Sequence, residues 1–117
     1  MFARHVTMQL KPEVVHEFPL LAENLQKEIL PLLRKQKGFI EELVLTAPNQ
    51  NEAVAISLWE EKEHAEKFKR EVYPTIVKLL NKYVEGTPVE KEFEPIAAVP
   101  VLRKRGNLRR VLHISAK

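Results

Sequence analysis

The side chains able to do chemistry in this sequence are few in kind. Four histidines occur, at 5, 16, 64 and 113, and their spacing matches no metal-ligand pattern. Cys is absent, which removes thiol catalysis, Cys-zinc sites and disulfide scaffolds. Asp is absent too, so carboxylate chemistry falls to Glu. Ser57 and Ser115 are the only serines, and neither stands in a nucleophile elbow. Three scattered glycines, Gly38, Gly86 and Gly106, cannot build a phosphate loop or a dinucleotide fingerprint. Histidine still offers proton transfer near neutral pH, at His5, His16, His64 or His113.

Those groups must be positioned by a chain of 117 residues, 44% hydrophobic and 30% charged. That length supports one domain, burying roughly 65% of its unfolded surface. The formal net charge of +3 is unevenly spread. Residues 96–117 hold six bases and no acid, whereas residues 1–95 hold 13 bases and 16 acids. The expected organisation is a domain over 1–95 and a basic C-terminal extension over 96–117. Leu108, Val111, Leu112 and Ile114 give the extension apolar groups to bury, so it is expected to dock on its own or a partner subunit, against acidic sheet residues. It lacks an interleaved aromatic for base stacking, so a nucleic-acid partner is not expected. No apolar run approaches the about 20 residues that cross a bilayer. The start, Met1-Phe2-Ala3-Arg4-His5, turns polar too early for a secretory leader. A cytoplasmic location without a membrane partner is therefore expected.

The elements follow from periodicity. Residues 2–9 alternate, with Phe2, Arg4, Val6 and Met8 on one face and Ala3, His5, Thr7 and Gln9 on the other, which predicts a strand. From Lys11-Pro12-Glu13 to about Lys35, Val14, Phe18, Leu21, Leu25, Ile29, Leu32 and Leu33 recur at three and four, which predicts a helix. Pro31 should kink or divide it. Strands are predicted over 39–47 and 52–59, joined as a hairpin by the Pro48-Asn49-Gln50-Asn51 turn. Helical spacing resumes at Glu60, breaks near Tyr73-Pro74 and continues to Val84, so two helical pieces are expected. A last strand is predicted over 89–94, with Glu90, Glu92 and Glu94 on a face that meets solvent or basic residues. The order β-α-β-β-α-β predicts an α+β, ferredoxin-like split β-α-β fold: one antiparallel sheet with helices on one face. Strands two and three are apolar on both faces, so a second sheet should cover the open face, most simply in a homodimer.

In order and spacing these features resemble the antibiotic biosynthesis monooxygenase family, of the dimeric α/β-barrel superfamily. The resemblance covers about residues 2–95. It is carried by Leu30-Pro31-Leu32-Leu33-Arg34 before Gly38-Phe39, by Ser57-Leu58-Trp59-Glu60 before a helix containing His64, by Tyr73-Pro74, and by Gly86-Thr87-Pro88-Val89. It also accounts for Pro31. The family includes cofactor-free quinone-forming oxygenases, haem-degrading enzymes and a signal-molecule isomerase. Haem degraders carry a His on the later helix, and residues 73–84 contain none, which counts against haem.

The resemblance implies oxidation of a small aromatic or phenolic substrate by O₂, with no bound metal, flavin or other cofactor; the alternative is a non-enzymatic small-molecule binder or structural dimer of the same fold. A protein group would help deprotonate the substrate, and the anion would react with O₂. Trp59 and Phe68 would shape the pocket, with His64 near it after Trp59. His5 falls about where the haem-degrading branch has an Asn, which makes it the expected proton acceptor. A one-residue slip of the first strand would place Arg4 in the pocket instead. Tyr73 or Arg4 would stabilise the anion.

Overall fold

The computed structural model describes residues 1–96, and the basic extension beyond Ile96 lies outside the described residues. Four strands carry the fold: β1 (Phe2–Leu10), β2 (Phe39–Ala47), β3 (Glu52–Trp59) and β4 (Val84–Phe93). They form one antiparallel sheet in the order β2-β3-β1-β4. Three helices join them: α1 (Phe18–Arg34), α2 (Lys62–Glu71) and α3 (Tyr73–Leu80). The architecture is the ferredoxin-like α+β arrangement expected from the element order.

Strand alternation divides the sheet into two faces. Phe2, Val6, Met8 and Leu10 of β1 point to the helices and are buried. Ala53 and Trp59 of β3 join them from the neighbouring strand. Against these pack Phe18, Leu25, Ile29 and Leu33 from α1, Ala65 and Phe68 from α2, and Ile76 from α3. Leu10, Leu33 and Trp59 are fully enclosed, each worth about 1.5–3 kcal/mol of apolar transfer. The opposite face has no cover from the described residues. Leu43, Leu45, Val89 and Phe93 lie 37%, 46%, 57% and 50% exposed there.

Four local expectations change. A short 3-10 turn (Pro12–Val14) precedes α1, and the α-helix itself starts at Phe18, with Pro19 in its first turn. Pro31 lies inside α1 without dividing it. Pro31 and Lys27, whose carbonyl loses a donor, are both exposed residues, so the lost bond is not sealed in the core. Strand β4 begins at Val84 rather than 89, so Val84 closes the core as the first residue of a strand and not as the end of a helix. Its glutamates also differ from a solvent-facing row: Glu90 turns toward the helices and is partly buried.

Candidate active site

Alternation along β1 puts Arg4 among the core-facing side chains, where it is 3% exposed. A guanidinium so enclosed requires a partner. Arg4 Nη2 donates to Glu90 Oε1 at 2.7 Å, across the β1–β4 boundary. Lys69 Nζ of α2 approaches the same carboxylate oxygen at 3.5 Å. The Arg4 Cζ also stands 4.6 Å from the Tyr73 ring centre and 5.4 Å from that of Phe68. The cation is thus held between two aromatic faces and one carboxylate.

Arg4 lines a cavity between the sheet and the helices, with Val6, Met8, Phe18, Leu25 and Ile29 among its apolar walls. The polar groups on its lining are Arg4, Gln26, Glu42, Ser57 and Tyr73. Three of them form a row across the sheet. Glu42 of β2 pairs with Ser57 of β3, and Ser57 pairs with Arg4 of β1. Two interstrand spacings, about 10 Å in all, therefore separate the Glu42 and Arg4 backbones. A register shift between Phe39 and Glu41 sets this phase, turning Glu42 toward the helices. The cavity volume is about 70 Å³. A water needs about 10–15 Å³, so about five waters fit; a cavity that takes benzene is about 150 Å³, so an aromatic ring enters only as the lining side chains shift.

Burial raises the Glu42 carboxyl above its ordinary value of 4.5. The hydrogen bond from Gln26 Nε2, at 3.2 Å, and the positive charge of Arg4 pull it partly back. Tyr73 is raised above 10.0, chiefly by burial and then by the negative charge of Glu90, while the charge and a hydrogen bond of Arg4 oppose this. Tyr73 is therefore a neutral phenol at neutral pH. The cavity so combines a fixed cation, a phenol and a carboxyl poised closer to neutrality than usual. That set can acidify a bound hydroxyl, hold an oxyanion and accept a proton.

The residues expected from the sequence separate. Arg4, Phe68 and Tyr73 meet in the cavity. Trp59 stands one layer behind, 5.0 Å from Phe68 ring to ring, with its indole N–H donating to Ser57 Oγ at 2.9 Å. It supports the wall rather than forming it. His5, expected as proton acceptor, lies on the opposite face of the sheet, edge-on to Phe93 at 5.8 Å. The core-facing phase of β1 belongs to Arg4. His64 lies away from the lining, on the first turn of α2, where its ring occupies the space a side chain at Gly38 would need. Gly38 also has φ +82°, so only glycine suits this joint. Three lining residues escaped the sequence reading of the site: Gln26, Glu42 and Ser57. Among the described residues, no group of three His, Cys, Asp or Glu side chains could hold a metal ion, and no helix is long and apolar enough to cross a membrane.

Comparison with solved structures agrees with this architecture. A protein of unknown function from Nitrosomonas europaea aligns at TM-score 0.66 and 13% identity, over 87% of this chain and 95% of that one. A Streptomyces coelicolor monooxygenase, solved with nanaomycin D, aligns at 0.64 and 19% identity, over 84% of this chain and 89% of that one. A cofactor-independent oxygenase from Streptomyces nogalater aligns at 0.59 and 16%, over 86% and 95%. At such identities the likeness establishes the fold. No curated protein matches the sequence. The family model for antibiotic biosynthesis monooxygenase matches residues 1–73, which hold β1, α1, the β2–β3 hairpin, α2 and Tyr73, and the chain belongs to that family.

Proposed function

We propose that this protein is a cofactor-independent monooxygenase that oxygenates a small phenol with O₂. The observation that carries this reading is the buried Arg4, set beside Tyr73 and facing Glu42 across Ser57 inside an apolar cavity. An aromatic ring enters this space as the lining side chains shift. Family membership and the likeness to a cofactor-independent oxygenase support the reaction class.

In this scheme the phenol oxygen lies against Arg4 and Tyr73. The cation lowers the phenol pKa and holds the phenolate, and the phenol proton passes to solvent. A phenolate is electron-rich and can pass an electron to O₂, after which the oxygen radical bonds at the ring carbon para to the phenolate. The peroxide takes up one proton from solvent; the carbon that bears it faces Glu42, which takes the C–H proton as the O–O bond breaks and then passes it to the departing hydroxide, giving water. The overall change balances: phenol plus O₂ gives quinone plus water. The aromatic ring supplies all four electrons. The apolar walls exclude water from the phenolate and from the peroxide formed on it.

The working unit in this proposal is a homodimer. Leu43 and Leu45 on one edge strand and Val89 and Phe93 on the other lie exposed on the open sheet face, which a partner sheet would cover. His5 stands on that face rather than in the cavity.

The test is O₂ consumption by chelator-treated protein across a panel of small phenols. Uptake of one O₂ per quinone formed, lowered about 10²–10⁴-fold by Glu42→Gln, is the expected result. Phenols that bind the protein without O₂ uptake above the buffer blank would refute the oxygenase assignment.

A further inference from the structure

The cavity contains one buried acceptor that nothing satisfies. Gln26 lies on α1, and its Nε2 donates to Glu42. Its Oε1 is closed to solvent and has no hydrogen-bond partner. A buried amide oxygen without a donor costs free energy, and a ligand that brings a donor recovers it. The oxygen belongs to a side chain on the cavity lining, next to Glu42 and on the far side of the sheet row from Arg4.

We infer that Gln26 Oε1 recognises a second hydroxyl of the substrate, and that the substrates of this site are dihydroxyarenes. This rests on the phenol reading of the cavity. With the first oxygen at Arg4 and the para carbon toward Glu42, Gln26 faces the ring carbon flanking the para position. The second hydroxyl is therefore meta to the first, as in resorcinol. A simple phenol leaves the Gln26 oxygen unpaired and binds less well. An ether or halide at that position does the same, since neither can donate. A site whose polar groups expect a hydroxyl discriminates strongly against analogues that lack one.

Resorcinol and 3-fluorophenol make the matched pair: the ring is the same, and fluorine replaces one hydroxyl. Binding is measured without O₂, so that nothing turns over. The fluorophenol is followed by ¹⁹F NMR and resorcinol by its displacement. Wild-type protein should bind resorcinol about ten-fold tighter. In Gln26→Met, which keeps length and removes the acceptor, the ratio should fall to about one. The affinity for 3-fluorophenol itself should stay within about two-fold. Far-UV circular dichroism checks that the variant folds, and the wild-type ratio is decisive without any variant. A wild-type ratio near one overturns the inference, as does a ratio that survives Gln26→Met. Failure of both probes to bind overturns it together with the phenol site. If the ratio and its loss both hold but no phenol drives O₂ uptake, the Gln26 assignment stands and only the oxygenase chemistry fails.

Discussion

Replacing Arg4 with Met removes the cation and keeps most of the side-chain volume. Arg4 makes one charge-assisted hydrogen bond to Glu90 at 2.7 Å, of a type worth about 1.5–3 kcal/mol. Its contacts with the Tyr73 and Phe68 rings add about 0.5–2 kcal/mol. Breaking a fully buried ion pair typically costs about 3–5 kcal/mol, mostly through the charge left behind. Here Glu90 is 28% exposed and keeps Lys69 at 3.5 Å. The desolvation of the guanidinium is also relieved. The expected loss for Arg4→Met is therefore smaller, about 1–3 kcal/mol. Urea unfolding at fixed pH measures it, followed by circular dichroism. Glu90→Gln in the Arg4→Met background should recover part of the loss, with a coupling energy of about 1–2 kcal/mol in the double-mutant cycle. The same variant should raise the Glu42 carboxyl further, because the charge of Arg4 lowers it. It should also raise the pH at which a bound fluorophenol ionises. A loss under about 0.5 kcal/mol with additive effects would refute the coupling. Unchanged ionisation of the bound phenol would refute the role of Arg4 as the anion's counter-charge.

Four other outcomes are expected. Glu42→Gln should lower turnover about 10²–10⁴-fold and flatten part of the stability–pH curve. Because the folded carboxyl is raised above 4.5, its stabilising contribution is complete below pH 4.5 and lost as pH rises through the folded value. Wild type should therefore lose stability relative to the variant on going from acid to neutral pH, and a parallel curve would contradict the burial of Glu42. Ser57→Ala strands the buried indole N–H of Trp59, costing about 1–3 kcal/mol in thermal or urea unfolding; since Trp59 is the only tryptophan, its emission should shift too. Gly38→Ala should cost at least about 1–2 kcal/mol from its φ of +82°, and Gly38→Ala/His64→Ala should recover only the part due to the displaced ring. Leu45→Arg should convert a dimer to monomers in sedimentation velocity while circular dichroism stays unchanged; a dimer that persists removes the open face as the interface.

Much of the architecture is legible in the residues. Alternation in β1 groups Arg4 with Phe2, Val6 and Met8, and that apolar company places Arg4 toward the core. The same pattern puts His5 with Thr7 and Gln9 on the other face, so the neutral-pH chemistry of histidine was a weaker guide than strand phase. Glu42 was not legible locally. In β2 both faces carry polar and apolar residues, and a bulge at Phe39–Glu41 sets the phase. Gln26 sits on the polar flank of an amphipathic helix and looks like any solvated glutamine until β2 lies beneath it. Glu90 belongs to a run of alternating acids that reads as a wet edge. Its inward turn is explained only by the buried charge of Arg4 two strand positions away in the ladder, a long-range demand that no local pattern records.

The most direct test of the account is a crystal structure of the protein soaked anaerobically with a small phenol. The account predicts the ring between sheet and helices, its oxygen within hydrogen-bond reach of Arg4 or Tyr73 and its para carbon toward Glu42. A phenol seated instead on the open sheet face beside His5 and Phe93, with the Arg4 cavity empty, would contradict it.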